Sequence, residues 1–305
     1  MRFRLSICIF ILLAIIIPAS AVLSAGGLAF ISKGSVYYLP DGAKKPISIA
    51  KGGSVSLRPD GGALVYATEV SAKSKTPMSD IISFDLNTRE TRRITGAKGR
   101  ITDISWNMDG KLILYLLINA RNQYEISTFD TVTEAEWSTS TAGNPEGDFV
   151  FAPEWGADGK SILYHNNVSL FRIGLDGELI NKTKLDSFVG RKSSVASSDR
   201  FVEQPGNSSV MAFTRMAEGT KFGLKVFGEP TSAIFRYDAG TKKVRRITKP
   251  EMIAMDPCWS RDSKFVYFSG YNEKDYKQPY PFKIYRIRID GTGLTMITKG
   301  ESPSL

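Results

Sequence analysis

The chain has one histidine, two cysteines and no long apolar run beyond its first 25 residues. With His165 alone there is no Cys/His zinc site and no two-His metal clamp, and a Ser-His-Asp triad exists only if His165 serves it. Cys8 lies inside the N-terminal apolar segment. Once that segment is removed Cys258 stands alone, and no internal disulfide is available even in an oxidising compartment. Ile7 precedes Cys8 where lipoprotein processing needs a small residue, so lipidation at Cys8 is not expected. Acidic charge is in short supply, with 31 Asp+Glu against 40 Lys+Arg and a formal charge of +9. That balance permits acidic partners such as nucleic acid, anionic lipid or anionic polysaccharide without selecting one. With 305 residues, 42% of them hydrophobic, the chain is able to bury a sizeable core, which excludes disordered and disulfide-framework classes.

The first 25 residues read as a secretory signal. Arg2 and Arg4 form a positive start, Leu5 to Ile17 an unbroken apolar stretch, and Pro18-Ala19-Ser20-Ala21 a small-residue site. Cleavage is expected after Ala21 or Ala25, giving a periplasmic or secreted product. The loss of Arg2 and Arg4 leaves 38 basic residues against 31 acidic ones, a charge of +7. A second reading is an uncleaved N-terminal anchor, because apolar character persists to Ala25, the length of one membrane span. After cleavage no stable membrane insertion is expected. Residues 26–305 then form the single folded domain.

Internal repetition organises that domain. The turn Arg58-Pro59-Asp60-Gly61 precedes Ala63-Leu64-Val65-Tyr66, and Met108-Asp109-Gly110-Lys111 precedes Leu112-Ile113-Leu114-Tyr115. Ala157-Asp158-Gly159-Lys160 precedes Ser161-Ile162-Leu163-Tyr164, and the three aspartates are each 49 residues apart. Asn207, another 49 residues on, sits in a degenerate copy followed by Val210-Met211-Ala212-Phe213, and Arg261-Asp262-Ser263-Lys264 opens a fifth. In each copy a short strand ends three residues before the aspartate, on Leu57, Trp106, Trp155 or Trp259, with polar Gln204 the exception. An Asp-Gly hairpin turn, a strand rich in β-branched and aromatic residues and an alternating third strand follow. The fourth is more polar and often closes on Ile-Thr, as at Ile94-Thr95, Ile247-Thr248 and Ile297-Thr298. Nothing between the repeats shows helical periodicity.

Four antiparallel strands per repeat predict the blade of an all-β propeller. Leu28 to Ala50 supplies only strands two to four of a first blade, and Glu301 to Leu305, which resembles Met255 to Trp259, supplies the missing innermost strand. The expected fold is therefore a six-bladed β-propeller of four-stranded antiparallel blades, closed by the C-terminal strand joining blade one. Such closure hides two sheet edges.

These turns, with the apolar strands after them, resemble the repeats of the TolB propeller family, centred on Ser-Pro-Asp-Gly-Lys. The nearest forms are Arg58-Pro59-Asp60-Gly61, Met108-Asp109-Gly110-Lys111, Ala157-Asp158-Gly159-Lys160 and Ser260-Arg261-Asp262-Ser263-Lys264. The resemblance spans nearly all of residues 28–305. The N-terminal α/β domain of TolB has no counterpart between the apolar segment and the propeller. What the resemblance implies is a periplasmic, non-enzymatic protein-binding or scaffold propeller of the cell envelope, as TolB's propeller is for the lipoprotein Pal. An envelope protein, a Pal-like lipoprotein among the options, or an anionic glycan is the expected partner, and the expected state is a monomer. The repeat motif is shared with peptidase propellers and carries no partner-binding residue across.

The rival class is an enzyme, a glycan lyase or hydrolase acting on an anionic polysaccharide in the central pocket. Peptidase relatives add an α/β-hydrolase domain with a Gly-x-Ser-x-Gly elbow, for which no residues outside the ring remain. Sugar-lyase propellers use several histidines, whereas His165, beside Tyr164 on a predicted second strand, reads as a packing residue. The repeated aspartates read as turn residues, because Asp accepts local backbone N–H bonds. No catalytic residue, cofactor or metal is assigned. The basic runs Arg89 to Arg93 and Lys242 to Arg246 fall on outermost strands, where charge blunts edge pairing, and the export signal disfavours nucleic acid. Asn167, Asn181 and Asn207 open triplets that fit glycosylation acceptors, read here as accidental.

Loop lengths point to a face. In such a blade the first-to-second and third-to-fourth turns emerge on one face, and these are short. The second-to-third loops and blade crossings emerge on the other and include the long segments. Functional surface tends to lie on elaborated loops over a rigid scaffold. The candidate partner-binding residues are therefore Lys73 and Lys75, then Lys221, Phe222, Lys225 and Phe227, then Tyr271, Lys274, Tyr276, Lys277 and Tyr280. Aromatic anchors among positive charges suit a protein or an anionic glycan. The structural alternative is that Phe222 and Phe227 pin a long hairpin to the blade.

Overall fold

The computed structural model describes residues 26–305 apart from 71–76, 97, 141–148, 191–193, 218–220 and 229. Blade one contains β1 (Gly27–Ser32), β2 (Ser35–Pro40) and β3 (Ile47–Lys51). Blade two follows with β4 (Ser54–Leu57), β5 (Ala63–Val70), β6 (Met78–Asp85) and β7 (Thr91–Thr95). Blade three has β8 (Gly99–Trp106), β9 (Leu112–Asn119), β10 (Tyr124–Asp130) and β11 (Glu136–Ser140). In blade four are β12 (Phe151–Trp155), β13 (Ile162–His165), β14 (Ser169–Ile173) and β15 (Leu179–Lys184). Blade five comprises β16 (Phe201–Gln204), β17 (Asn207–Ala217), β18 (Thr231–Asp238) and β19 (Lys243–Arg246). Blade six comprises β20 (Met252–Trp259), β21 (Phe265–Asn272), β22 (Lys283–Arg288) and β23 (Thr295–Lys299). The last strand, β24 (Glu301–Ser304), pairs antiparallel with β1 and becomes the innermost strand of blade one. The fold is thus an all-β six-bladed propeller of four-stranded antiparallel sheets, closed by its C-terminal strand.

The middle strands read as continuous apolar runs because both of their faces are covered. Ala29 and Ile31 pack toward blade two, while Leu28 and Phe30 between them pack toward blade six. In the same way Ile113, Tyr115 and Leu117 face blade two and Leu114 and Leu116 face blade four. Side chains alternate along a strand, so each blade shares one apolar cluster with each neighbour. The blades are also stitched by hydrogen bonds. Trp106 N and Ile104 N donate to Ser56 Oγ and Ser54 Oγ at 3.0 and 3.2 Å, and Leu57 N donates to Ser304 Oγ at 2.9 Å.

The turn aspartates act as their spacing implies. Asp60, Asp109, Asp158 and Asp262 each accept a backbone N–H two residues on. The third-to-fourth turns repeat the device with Asp85, Asp130, Asp176 and Asp290, and Asp238 accepts Thr241 N three residues on. At Asp85, Asp130 and Asp238 these amide bonds hold the carboxyl below its ordinary range. The blade-five copy differs. Its turn is only Pro205-Gly206, and Asn207 already belongs to the long strand β17. The expectation of no helix is corrected by α1 (Lys221–Phe227) and α2 (Glu273–Tyr276), inserted in the second-to-third loops of blades five and six. Both are too short for a 3.6-residue periodicity to show.

Candidate functional site: the long-loop face and the central channel

The two helices bring most of the predicted loop residues together. In α2, Asn272 caps the first turn by accepting Lys274 N at 2.9 Å and Asp275 N at 3.2 Å, and Asp275 Oδ2 in turn accepts Asn272 N at 3.4 Å. This reciprocal box fixes the direction of a helix too short to persist alone. Asp275 is itself buried and paired with Lys283. Beside it, α1 inserts Phe222, 3% exposed, into a cluster with Ile253 and Tyr271. Lys225 bridges to Glu273 at 2.8 Å and joins the helices.

The result is a ledge whose inner side is pinned and whose outer side is open. Phe227 and Tyr276 remain 43% and 41% exposed with ring centres 5.5 Å apart, and Leu224 is exposed beside them. Lys274, within α2, and Lys277, just after it, are exposed beside them. Phe222 and Tyr271 hold the ledge from beneath, as the pinning alternative implies for Phe222 but not for Phe227. Tyr280 is half-buried and donates to Glu301 Oε1 at 3.1 Å, so it ties the loop to the closing strand. Burial and the Glu301 charge push the Tyr280 hydroxyl up to about 12. Lys73 and Lys75 lie outside the described residues, and Lys221 opens α1.

A second feature, absent from the sequence reading, occupies the axis. The innermost strands of all six blades line a cavity of about 240 Å³. Across it Arg200 pairs with Asp103 and Glu154, and its Nε lies 3.9 Å from Asp256 Oδ1. Ser269 Oγ donates to Asp256 Oδ2 at 2.8 Å and accepts Ser302 N at 2.7 Å. One arginine thus joins blades three, four, five and six. Burial works against the Arg200 charge, but Asp103, Glu154 and Asp256 outweigh it and hold its pKa above the ordinary value. For Glu154 burial dominates and raises the carboxyl despite Arg200.

The acids reach the channel through a repeated kink. Asp103 and Asp256 stand at φ +52° and +51°, and Ala152 and Ser302 take the same left-handed conformation in their strands. The pairing of β8, β12 and β20 slips at each of these sites. Such bulges re-aim side chains at the cost of unfavourable φ for a non-glycine residue. A signal was present in the sequence: Asp103-Ile104-Ser105-Trp106 and Asp256-Pro257-Cys258-Trp259 repeat an Asp three residues before Trp.

His165 and Cys258 are both held in their neutral forms. His165 is fully buried between Phe151 and Phe201. Its Nε2 donates to the Asp199 carbonyl at 2.8 Å and its Nδ1 accepts Asn167 N at 3.2 Å, which sets one neutral tautomer. Burial lowers its pKa to about 4. Cys258 lines the cavity, and burial pushes its thiol up to about 12, so the nucleophilic thiolate is scarce at neutral pH.

No protein-family model matches the chain, and a search of curated proteins finds no match. Solved structures do match. The chain is similar to TolB from Acinetobacter baumannii, with a TM-score of 0.64 and 16% identity over 92% of this chain and 67% of that one. It is also similar to the β-propeller domain of the Trilobed protease from Pyrococcus furiosus, with a TM-score of 0.56 and 12% identity over 90% and 93%. A third match is to the Mitotic Checkpoint Complex, with a TM-score of 0.52 and 14% identity over 90% and 76%. At these identities the likeness establishes the fold: a six-bladed propeller resembling that of TolB. Fold alone does not choose between binding and catalysis, since one of these propellers belongs to a protease.

Proposed function

We propose that the chain is an exported, non-catalytic binding or scaffold propeller of the cell envelope, TolB-like in use as well as in fold. Its partner is an envelope protein that docks on the long-loop face. The observation that supports this reading is the ledge of α1 and α2, where Phe227 and Tyr276 stay half-exposed beside Lys274 and Lys277 although the rings beneath them are buried. Exposed aromatic rings on a rigid base are the usual anchors of protein interfaces, and flanking lysines orient an acidic partner. The channel reading, an enzyme, is less well supported, because Arg200 and its carboxylates are engaged with one another and the thiol is protonated. Affinity capture from the source organism's envelope, with the wild-type chain and Phe227→Ala/Tyr276→Ala as matched baits, tests the proposal. A protein retained by the wild type and lost by the variant is expected; equal retention would count against the face.

A further inference from the structure

Among the described residues the half-buried arginines fall into two groups. Arg58, Arg172, Arg200 and Arg236 each meet a carboxylate, and Arg246 donates to the carbonyls of Thr248 and Lys249. Arg215 and Arg286 do neither, and the Nε of each is buried without an acceptor. Arg286 shares the ring of Phe265 with exposed Arg288, whereas Arg215 stands alone on Phe235, its guanidinium 4.1 Å from the ring centre.

Arg215 lies near the long-loop end of β17, on the side turned to blade four. The register pairs Arg215 with Ala233 and Ala217 with Thr231, so these four side chains share one face of the sheet with Phe213 and Phe235. The alanine side chains across from Arg215 and beside it offer no acceptor, and Thr231 Oγ1, also buried, has no partner either. α1 passes directly over this corner: a Cβ on Gly223 would lie 2.5 Å from Thr231 Oγ1. The patch is therefore at the foot of the ledge that carries Phe227 and Tyr276. Burial lowers the Arg215 pKa, and no neighbouring charge offsets it. A cation taken partly out of water without an anion is unfavourable. Stacking on Phe235 offsets part of that and fixes the guanidinium plane. Of its nitrogens only Nε is buried, which leaves the Nη pair as an open, oriented fork that matches the two oxygens of a carboxylate.

We infer that Arg215 is a carboxylate-binding site at the foot of the ledge, and that an acidic side chain of the docked protein supplies the anion it lacks. The second half of the inference rests on the long-loop face being the docking face; the first half does not. Phe227 and Tyr276 then act as apolar anchors, Lys274 and Lys277 as the source of long-range attraction, and Arg215 as the desolvated contact that fixes the partner's register. A pair formed at a half-buried guanidinium is screened much less by salt than one formed by the exposed lysines.

The site is tested first without the partner. In the chain carrying isotope-labelled arginine, the Nε–H resonance of Arg215 is assigned by its absence from Arg215→Lys, and sodium acetate is titrated against sodium chloride at equal ionic strength. A saturable shift of that resonance with acetate is expected; a shift no larger than the one chloride causes would overturn the site. Arg215→Met keeps a side chain on Phe235 and should match or exceed the wild-type Tm in chloride. A fall of more than about 4 °C would show that the guanidinium is already satisfied within the fold. Neither result depends on the docking face. Against the captured partner, Arg215→Met should weaken binding at least about tenfold at low and high salt alike. Wild-type affinity in this variant, alongside loss of binding in Phe227→Ala/Tyr276→Ala, would overturn the partner carboxylate and leave the docking face in place.

Discussion

His165 shows how a single buried side chain sets a pH response. Its folded pKa of about 4 lies below its ordinary value of 6.5, so the unfolded chain binds the proton more readily. Its contribution is fully present above pH 6.5 and is lost as pH falls toward 4, a total of about 3 kcal/mol. Glu154 and Asp199, whose carboxyls burial raises, act in the opposite direction. The informative quantity is therefore a difference between proteins. In urea unfolding, wild type minus His165→Gln should lose stability between pH 6.5 and 4; a constant difference would mean that the ring is not neutral in the fold. Arg200 makes a second residue-scale case. Arg200→Met leaves Asp103, Glu154 and Asp256 facing one another, and removing one partner of a buried ionic cluster costs about 3–5 kcal/mol. The loss should be smaller at acid pH, because burial raises the Glu154 carboxyl and favours its neutral form. A variant as stable as wild type at pH 7 would show that the cluster is solvated and does not hold the blades.

At the scale of elements, β24 is the one whose loss has the widest effect. It pairs with β1, accepts Leu57 N from blade two through Ser304, and is tied to blade six by Tyr280 and Ser269. Deleting residues 301–305 therefore opens three blades at once and bares the edge of β1. A fall in Tm of at least about 5 °C is expected, given that 1 kcal/mol shifts a domain of this size by about 2–4 °C, together with aggregation through the open edge. Calorimetry and size-exclusion chromatography measure both. Retention of the wild-type Tm by a clean monomer would show that the composite blade adds nothing to closure.

For the whole molecule, the two faces should be separable in function. Lys274→Glu with Lys277→Glu reverses charge on the ledge and should weaken partner binding about tenfold at low salt, with most of the effect screened at high salt. Tyr276→Ala removes an exposed ring and should cost about 1–2 kcal/mol at either salt concentration. Lys111→Glu and Lys160→Glu, on the short-turn face, should leave partner binding near wild type. Calorimetric titration of the captured partner at two salt concentrations reads all three. Loss of binding in the short-turn variants alone would mean that the faces have been assigned the wrong way round.

The blade count, the strand order and the composite first blade were legible in the sequence because they rest on local, repeated patterns. Asp109-Gly110 makes its turn through bonds to Lys111 N, within two residues, and the β-branched strand after it needs no distant partner to be recognised. Equally local is the mismatch between Leu28–Ala50, with three strands, and Glu301–Leu305, with one. The functional surfaces were less legible. Tyr276 and Lys277 stood out by composition and loop length, yet only packing separates open Phe227 from buried Phe222, five residues away on the same short helix. The Arg200 cluster was not read at all. Asp103 lies 97 residues from Arg200, and its side chain enters the channel through left-handed bulges that a strand pattern does not encode. Ring closure is what turns six remote inner strands into one wall. Likewise, only the direction of β1 within the closed ring puts Gly27 at the short-turn face.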